Sequence, residues 1–168
     1  MRFAAGLAAL ALVAGAALAE PDIKPWKGKA TLPLARNDMA GKAVDLKQLQ
    51  GRVLVVNFWA TWCEPCKMEI PWFAEFQTKY GPRGFQAIGV SVDDTVEKLK
   101  PYVAKYKMNY PVLIGLNHDD IQNAYGPLWG IPVTAIVSRD GRICVKHSGI
   151  SSKQNFEKEI QALLTPFD

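Results

Sequence analysis

Val55-Val56-Asn57-Phe58-Trp59-Ala60-Thr61-Trp62-Cys63-Glu64-Pro65-Cys66-Lys67 is the stretch that decides how this chain is read. Residues 53–60 form a near-continuous apolar run, the pattern of a strand buried on both faces. The run ends in a Cys-x-x-Cys flanked by Trp59 and Trp62. Residues 63–80 then read as a helix, because Ile70, Phe73 and Phe76 recur at helical spacing with Trp72 alongside. Gly81-Pro82 stops it. Pro65 suits the first helical turn, which needs no N–H from it. Two intervening residues let one helical turn bring the two sulfurs within bonding reach. The unpaired N–H groups and the positive dipole end of a helix start favour thiolate, which an ordinary thiol pKa of about 8.5 keeps scarce at neutral pH. These are the needs of thiol–disulfide exchange, with Cys63 as the exposed nucleophile and Cys66 facing inward to resolve the mixed disulfide.

The neighbours of the pair divide between functional and structural readings. Glu64 tunes the Cys63 thiol by raising its pKa, caps the helix start, or carries a proton. Lys67, one turn on, adds slightly to thiolate stability. Trp62 and Trp59 shield the pair and meet a partner chain, or pack in the core. A zinc site would need two further ligands, and Cys144, His118 and His147 do not stand at metal-ligand spacing, so no metal is expected. In a strand, Cys144 is a small buried hydrophobe, with a reactive or intermolecular role as the alternative. His118 and His147 read as ordinary surface or strand residues.

Outward from this stretch the elements alternate. Residues 31–35 and 42–45 are short extended pieces around a turn at 37–42, and 46–50 is a short helical link. Residues 85–92 form a second buried strand, and 95–106 a helix with Val96, Leu99, Val103 and Tyr106 on one face. Pro101 within it implies a kink or a later start. A strand at 110–114 and a helix at 119–125 follow. Strands at 132–138 and 143–147 are joined by Ser138-Arg139-Asp140-Gly141, a strong hairpin signal. An amphipathic helix at 152–164 ends the chain. The order gives an α/β fold, a central sheet flanked by helices with an antiparallel edge.

Phe3 to Leu18 is almost entirely small and apolar behind Arg2, and Ala17-Leu18-Ala19 matches a signal-peptidase site. Residues 1–19 therefore read as a secretory signal, or alternatively as an uncleaved membrane anchor. Cleavage leaves 168 − 19 = 149 residues, one domain over 20–168, expected to be a monomer. The formal charge of +4 is spread along the chain and makes no case for nucleic acid.

Gly130-Ile131-Pro132-Val133-Thr134 is the second signal. A proline at the head of an internal strand cannot donate to the ladder. A cis Ile131–Pro132 bond makes sense of it, turning the chain beside the cysteines and leaving Ile131 backbone groups free to pair with an extended substrate.

Asn57 to Cys66, continued through Lys67-Met68-Glu69-Ile70-Pro71, resembles the active-site segment of the TlpA/ResA branch of thioredoxin-like proteins. Ile131-Pro132 resembles that family's cis-proline loop, and Asp140-Gly141 its late hairpin. The resemblance runs from about residue 31 to 164 and implies a thioredoxin-like fold with a mixed sheet, an N-terminal extension and a central insertion at 93–116. It implies a periplasmic or membrane-facing thiol–disulfide oxidoreductase with no cofactor beyond the Cys63–Cys66 disulfide. Protein disulfides such as the haem-site cysteines of apocytochrome c, or copper-site thiols of oxidase subunits, are the implied substrates. A membrane dithiol carrier is the implied electron donor. Thioredoxins proper carry a buried Asp where this chain has Asn57, so the usual carboxylate is replaced by a group that cannot titrate. Asp93 or Asp94 can approach the cysteines instead, or cap the helix before Thr95, which is the favoured reading. Glu69 is an acid shared with family members or an exposed helix residue. Pro71 is expected to kink its helix. Trp129, in a loop one residue longer than usual, bears on substrate choice or packs beneath the loop.

The leading expectation is a protein-disulfide reductase. An oxidase running the same chemistry in reverse is the rival, followed by a Cu(I)-handling thiol protein. A peroxidase needs an Arg poised on its reactive Cys, which this pattern does not supply.

Overall fold

The computed structural model describes residues 35–118, 120, 124–126 and 128–165. The signal or anchor at 1–19, most of the expected 31–35 strand and most of the 119–125 helix lie outside them. Strand β3 (Val53–Trp59) is buried at every residue. It lies at the centre of a five-stranded sheet whose order is β5-β4-β3-β6-β7. Strands β4 (Phe85–Ser91) and β5 (Val112–Ile114) extend it in parallel on one side. On the other side β6 (Val133–Val137) pairs antiparallel with β3, and β7 (Ile143–Ser148) pairs antiparallel with β6.

Alternation along β3 sends its side chains to two cores. Val53, Val55 and Trp59 meet Ile70, Phe73, Phe76 and Tyr80 of helix α1 (Glu64–Tyr80). Leu99 of α2 (Val96–Lys105) and Phe156 and Ile160 of α3 (Lys153–Leu164) join the same cluster. Leu54, Val56 and Phe58 meet Ile88, Val90, Leu113, Tyr125 and Val133 on the opposite face. Each such buried side chain contributes about 1.5–3 kcal/mol, so the continuous apolar run is what centres β3 in the sheet.

The N-terminal extra differs from expectation. β1 (Ala35–Asn37) and β2 (Ala43–Asp45) form a hairpin with Ala35 opposite Asp45, so Asn37 is strand rather than turn. The turn begins at Asp38, whose carboxylate accepts from Ala40 N and Lys42 N at 2.9 Å each. The hairpin lies along β5: Met39 N donates to Val112 O at 2.9 Å, and Asp38 bridges Leu113. The link at 46–50 is a short 3-10 helix, Leu46–Leu49. β5 begins at Val112 because Pro111 cannot pair through its nitrogen. Pro71 and Pro101 both lie inside helices.

At the end of the sheet away from the cysteines, Arg139 of the β6–β7 turn donates to the carbonyls of Gly51, Arg83 and Leu164 at 2.8, 3.3 and 3.4 Å. One guanidinium thus ties together the approaches to β3 and β4 and the end of α3.

Candidate active site

Cys63 is the N-cap of α1, and its sulfur accepts from Cys66 N at 3.3 Å. The two cysteines are joined in a disulfide with Cα atoms 5.4 Å apart. Cys63 is only 3% exposed and Cys66 0%. The expectation of an exposed nucleophile is therefore corrected for the disulfide form.

The turn that delivers Cys63 is fixed from below by Asp94, which is 1% exposed. Its carboxylate accepts from Thr61 N at 2.8 Å, Thr61 Oγ1 at 2.6 Å and Ser91 Oγ at 2.7 Å. Asp93 accepts from Trp62 Nε1 at 2.8 and 3.1 Å. The favoured reading of these acids as helix caps is corrected, because Thr95 is the N-cap of α2 and its side chain makes no capping bond. Both carboxylates turn back to the cysteine loop, where unpaired donors await them. Sequence reasoning missed Thr61 and Ser91. Their signal was the placing of hydroxyl residues near an acid pair at the end of a strand.

The two tryptophans divide. Trp59 is wholly buried and stacked on Tyr102 at 5.0 Å between centroids, whereas Trp62 stays 62% exposed. Glu64 pairs with Lys67 on the surface, and this pairing raises the Lys67 pKa. Lys67 therefore spends its charge on Glu64 rather than on the sulfur. Pro65 fills the first turn as expected.

Glu69 carries the largest correction. It is not an exposed helix residue but 0% exposed. Its Oε1 accepts from Ser151 N at 3.0 Å, and Oε2 has no well-formed hydrogen bond. Burial pushes its carboxyl up from the ordinary 4.5 to about 7, against the Ser151 N–H, the His147 charge and the Thr134 hydroxyl, which favour the ionised form. Glu69 lies three residues after Cys66 on α1, and both are buried, so the two share a helix face. The spacing of Glu69 to Phe73 and Phe76 held the signal, since it puts the acid on the apolar face. Asn57, 1% exposed, donates through Nδ2 to Thr134 Oγ1 at 2.9 Å.

The Ile131–Pro132 bond is cis. Phe58 faces Val133 across β3–β6, so Pro132 lies beside the end of β3 from which the cysteine loop springs. Pro132 O accepts from Gly149 N at 2.8 Å. Trp129 is 93% exposed, which overturns packing beneath its loop. Cys144 is a free, half-buried thiol in β7, packed at the margin of the α1 core. His147 sits in the same strand, 2.8 Å from Glu159.

The AhpC/TSA family model matches residues 28–146. A thiol-disulfide oxidoreductase ResA of Bacillus cereus is 32% identical over 137 residues, covering 81% of this chain and 78% of that protein. ResA of Bacillus anthracis is 32% identical over 131 residues, covering 77% and 74%. Among solved structures, a thiol:disulfide interchange protein of the thioredoxin family from Chlorobium tepidum superposes with a TM-score of 0.74 at 27% identity. It covers 86% of this chain and 100% of that one. A helix-capping disulfide beside a cis-proline at the sheet's centre thus stands in a chain that matches these proteins in sequence and in shape, and the chain belongs to the AhpC/TSA family, as a thioredoxin-like thiol–disulfide oxidoreductase of the TlpA/ResA type.

Proposed function

We propose that the protein reduces protein disulfides outside the cytoplasm, the substrates being the disulfide formed by the haem-site cysteines of an apocytochrome c or by the copper-site cysteines of an oxidase subunit. The observation that carries the direction is the charge around the pair. Asp93 and Asp94 hold the loop before Cys63, Glu64 follows it, and Lys67 is already engaged by Glu64. Negative neighbours disfavour thiolate, and a pair whose reduced form is not stabilised is a better reductant. The secretory reading of residues 1–19 supports the location, and the kinship with ResA proteins supports the reaction class.

In this mechanism the Cys63 thiolate attacks a substrate disulfide, held by Ile131 and Pro132 and flanked by Trp62 and Trp129. One substrate sulfur leaves as thiolate and a mixed disulfide forms. Cys66 then attacks the Cys63 sulfur, passing its proton to Glu69, and the second substrate sulfur leaves. The substrate gains two electrons and the Cys63–Cys66 disulfide closes. A membrane dithiol carrier returns two electrons to reopen it.

Titration against glutathione or dithiothreitol tests the direction. A potential near thioredoxin's, about −270 mV, is expected, and one near about −120 mV overturns the reductase reading. Cys66→Ser blocks resolution, so protein partners should accumulate on Cys63 in cells. Failure to trap any would overturn the order of attack.

A further inference from the structure

We propose that Asn57 and Thr134 are a positioning pair for Glu69, a buried amide–hydroxyl chain from β3 through β6 to α1 that serves the carboxyl in both of its protonation states. The inference rests on the reading above, in which Glu69 receives the Cys66 proton.

A polar residue in the most buried strand of the sheet needs a partner. Asn57 stands directly opposite Thr134 in the antiparallel β3–β6 register, so both side chains leave the same face. Thr134 is 0% exposed and accepts from Asn57 Nδ2 at 2.9 Å. Having accepted, its hydroxyl still has a hydrogen to give, and the carboxyl of Glu69 is the group it favours in the charged form. The two carboxyl oxygens are not equivalent. Oε1 is held by Ser151 N at 3.0 Å, while Oε2 has no well-formed hydrogen bond and is free to carry the proton. Asn57 Oδ1 is likewise buried without a partner. Two buried acceptors, Glu69 Oε2 and Asn57 Oδ1, are therefore unfilled, and Thr134 is the hydroxyl that bears on both side chains.

That arrangement can run in either direction. With Glu69 ionised, Asn57 donates to Thr134 and Thr134 donates to the carboxylate. With Glu69 protonated, its O–H donates to Thr134 Oγ1, and the Thr134 hydrogen turns to the Asn57 amide oxygen once the amide has turned over. Proton arrival at Glu69 is absorbed by rotating a hydroxyl and flipping an amide, with no buried group gained or lost. A buried carboxylate in place of the Asn57 amide would instead set a second charge beside the first. Among the described residues the charged group that acts on Glu69 is His147 of β7, which is paired with Glu159 of α3 at 2.8 Å; Cys66 shares its helix face and is tied up in the disulfide.

The test is the pH profile of oxidised-glutathione reduction by the reduced full-length protein between about pH 5 and 9. Thr134→Val should move the inflection belonging to Glu69 upward by about one pH unit, the worth of a hydrogen bond to a charged group. Thr134→Ser, which keeps the hydroxyl, should restore the wild-type profile. Asn57→Ser should shift it in the same direction as Thr134→Val, which keeps the test alive if the valine variant does not fold. Glu69→Gln should abolish the inflection, and Thr134→Val added to it should change nothing further. If Thr134→Val shifts the profile as much in the Glu69→Gln background as in the wild type, or if Thr134→Ser behaves like Thr134→Val, the pair is only structural and the proposal falls. If Glu69→Gln alone leaves the profile unchanged, the proton-acceptor reading falls first.

Discussion

Trp62 shows how a side chain can be both exposed and fixed. It offers 62% of its surface to solvent, yet Asp93 holds its indole N–H by both carboxylate oxygens. A large apolar surface next to Cys63 is thereby held in place, and under the proposed function it would have little orientational freedom left to lose on docking. Asp93→Ala should release the ring. A bond of about 1 kcal/mol then reappears as roughly a fivefold higher KM for a protein disulfide, with the rate on a small disulfide unchanged, as paired steady-state assays would read. The Cys63–Cys66 disulfide was legible from the spacing of the pair, and the cis bond at Pro132 from a proline heading an internal strand taken together with that pair. Glu69 was not, because an acid on a helix reads as solvated unless its apolar neighbours one turn on are weighed with it. Asp93 and Asp94 were misassigned for a related reason. Sequence places them before a helix, and only the fold shows Thr61 and Trp62 offering better donors than the helix start does.

At the scale of elements, β3 and β4 fit because one partner has no side chain. A Cβ on Gly89 would stand 2.8 Å from Trp59 Nε1 and 3.4 Å from the Tyr110 ring. Trp59 is stacked on Tyr102 and cannot retreat. Gly89→Ala should therefore cost about 1–3 kcal/mol, the usual penalty for overpacking, and lower the denaturant midpoint without changing its slope. The long elements were readable because their periods are unambiguous: a run buried at every residue in β3, and apolar residues at helical spacing along α1. The short ones were not. Asn37 falls in β1 rather than in the turn expected of it, since the Asp38 carboxylate sets where the chain reverses and alternation over so short a run does not.

For the whole molecule, Glu69 makes stability depend on pH. Its folded carboxyl binds protons up to about 7 and its unfolded one only up to about 4.5, so between those values the native state holds the extra proton. Stability from this group is complete below pH 4.5 and is lost as pH rises through about 7, on the order of 3 kcal/mol in all. Glu69→Gln cannot titrate. The stability difference between wild type and this variant, measured by denaturant unfolding of the disulfide form, should therefore turn against wild type as pH rises across that window. A flat difference would show that the buried charge is relieved by rearrangement. The apolar runs located the sheet's centre but said little about its rims, and there the hairpin of β1 and β2 has a wider meaning. β5 is a three-residue rim strand, and Met39 N and Asp38 occupy the outer side of it. Open backbone on a sheet rim is a template for self-association. The turn of that hairpin lies along the outer side of β5, so this flank offers less open backbone for pairing with another copy of the chain than a bare rim strand would.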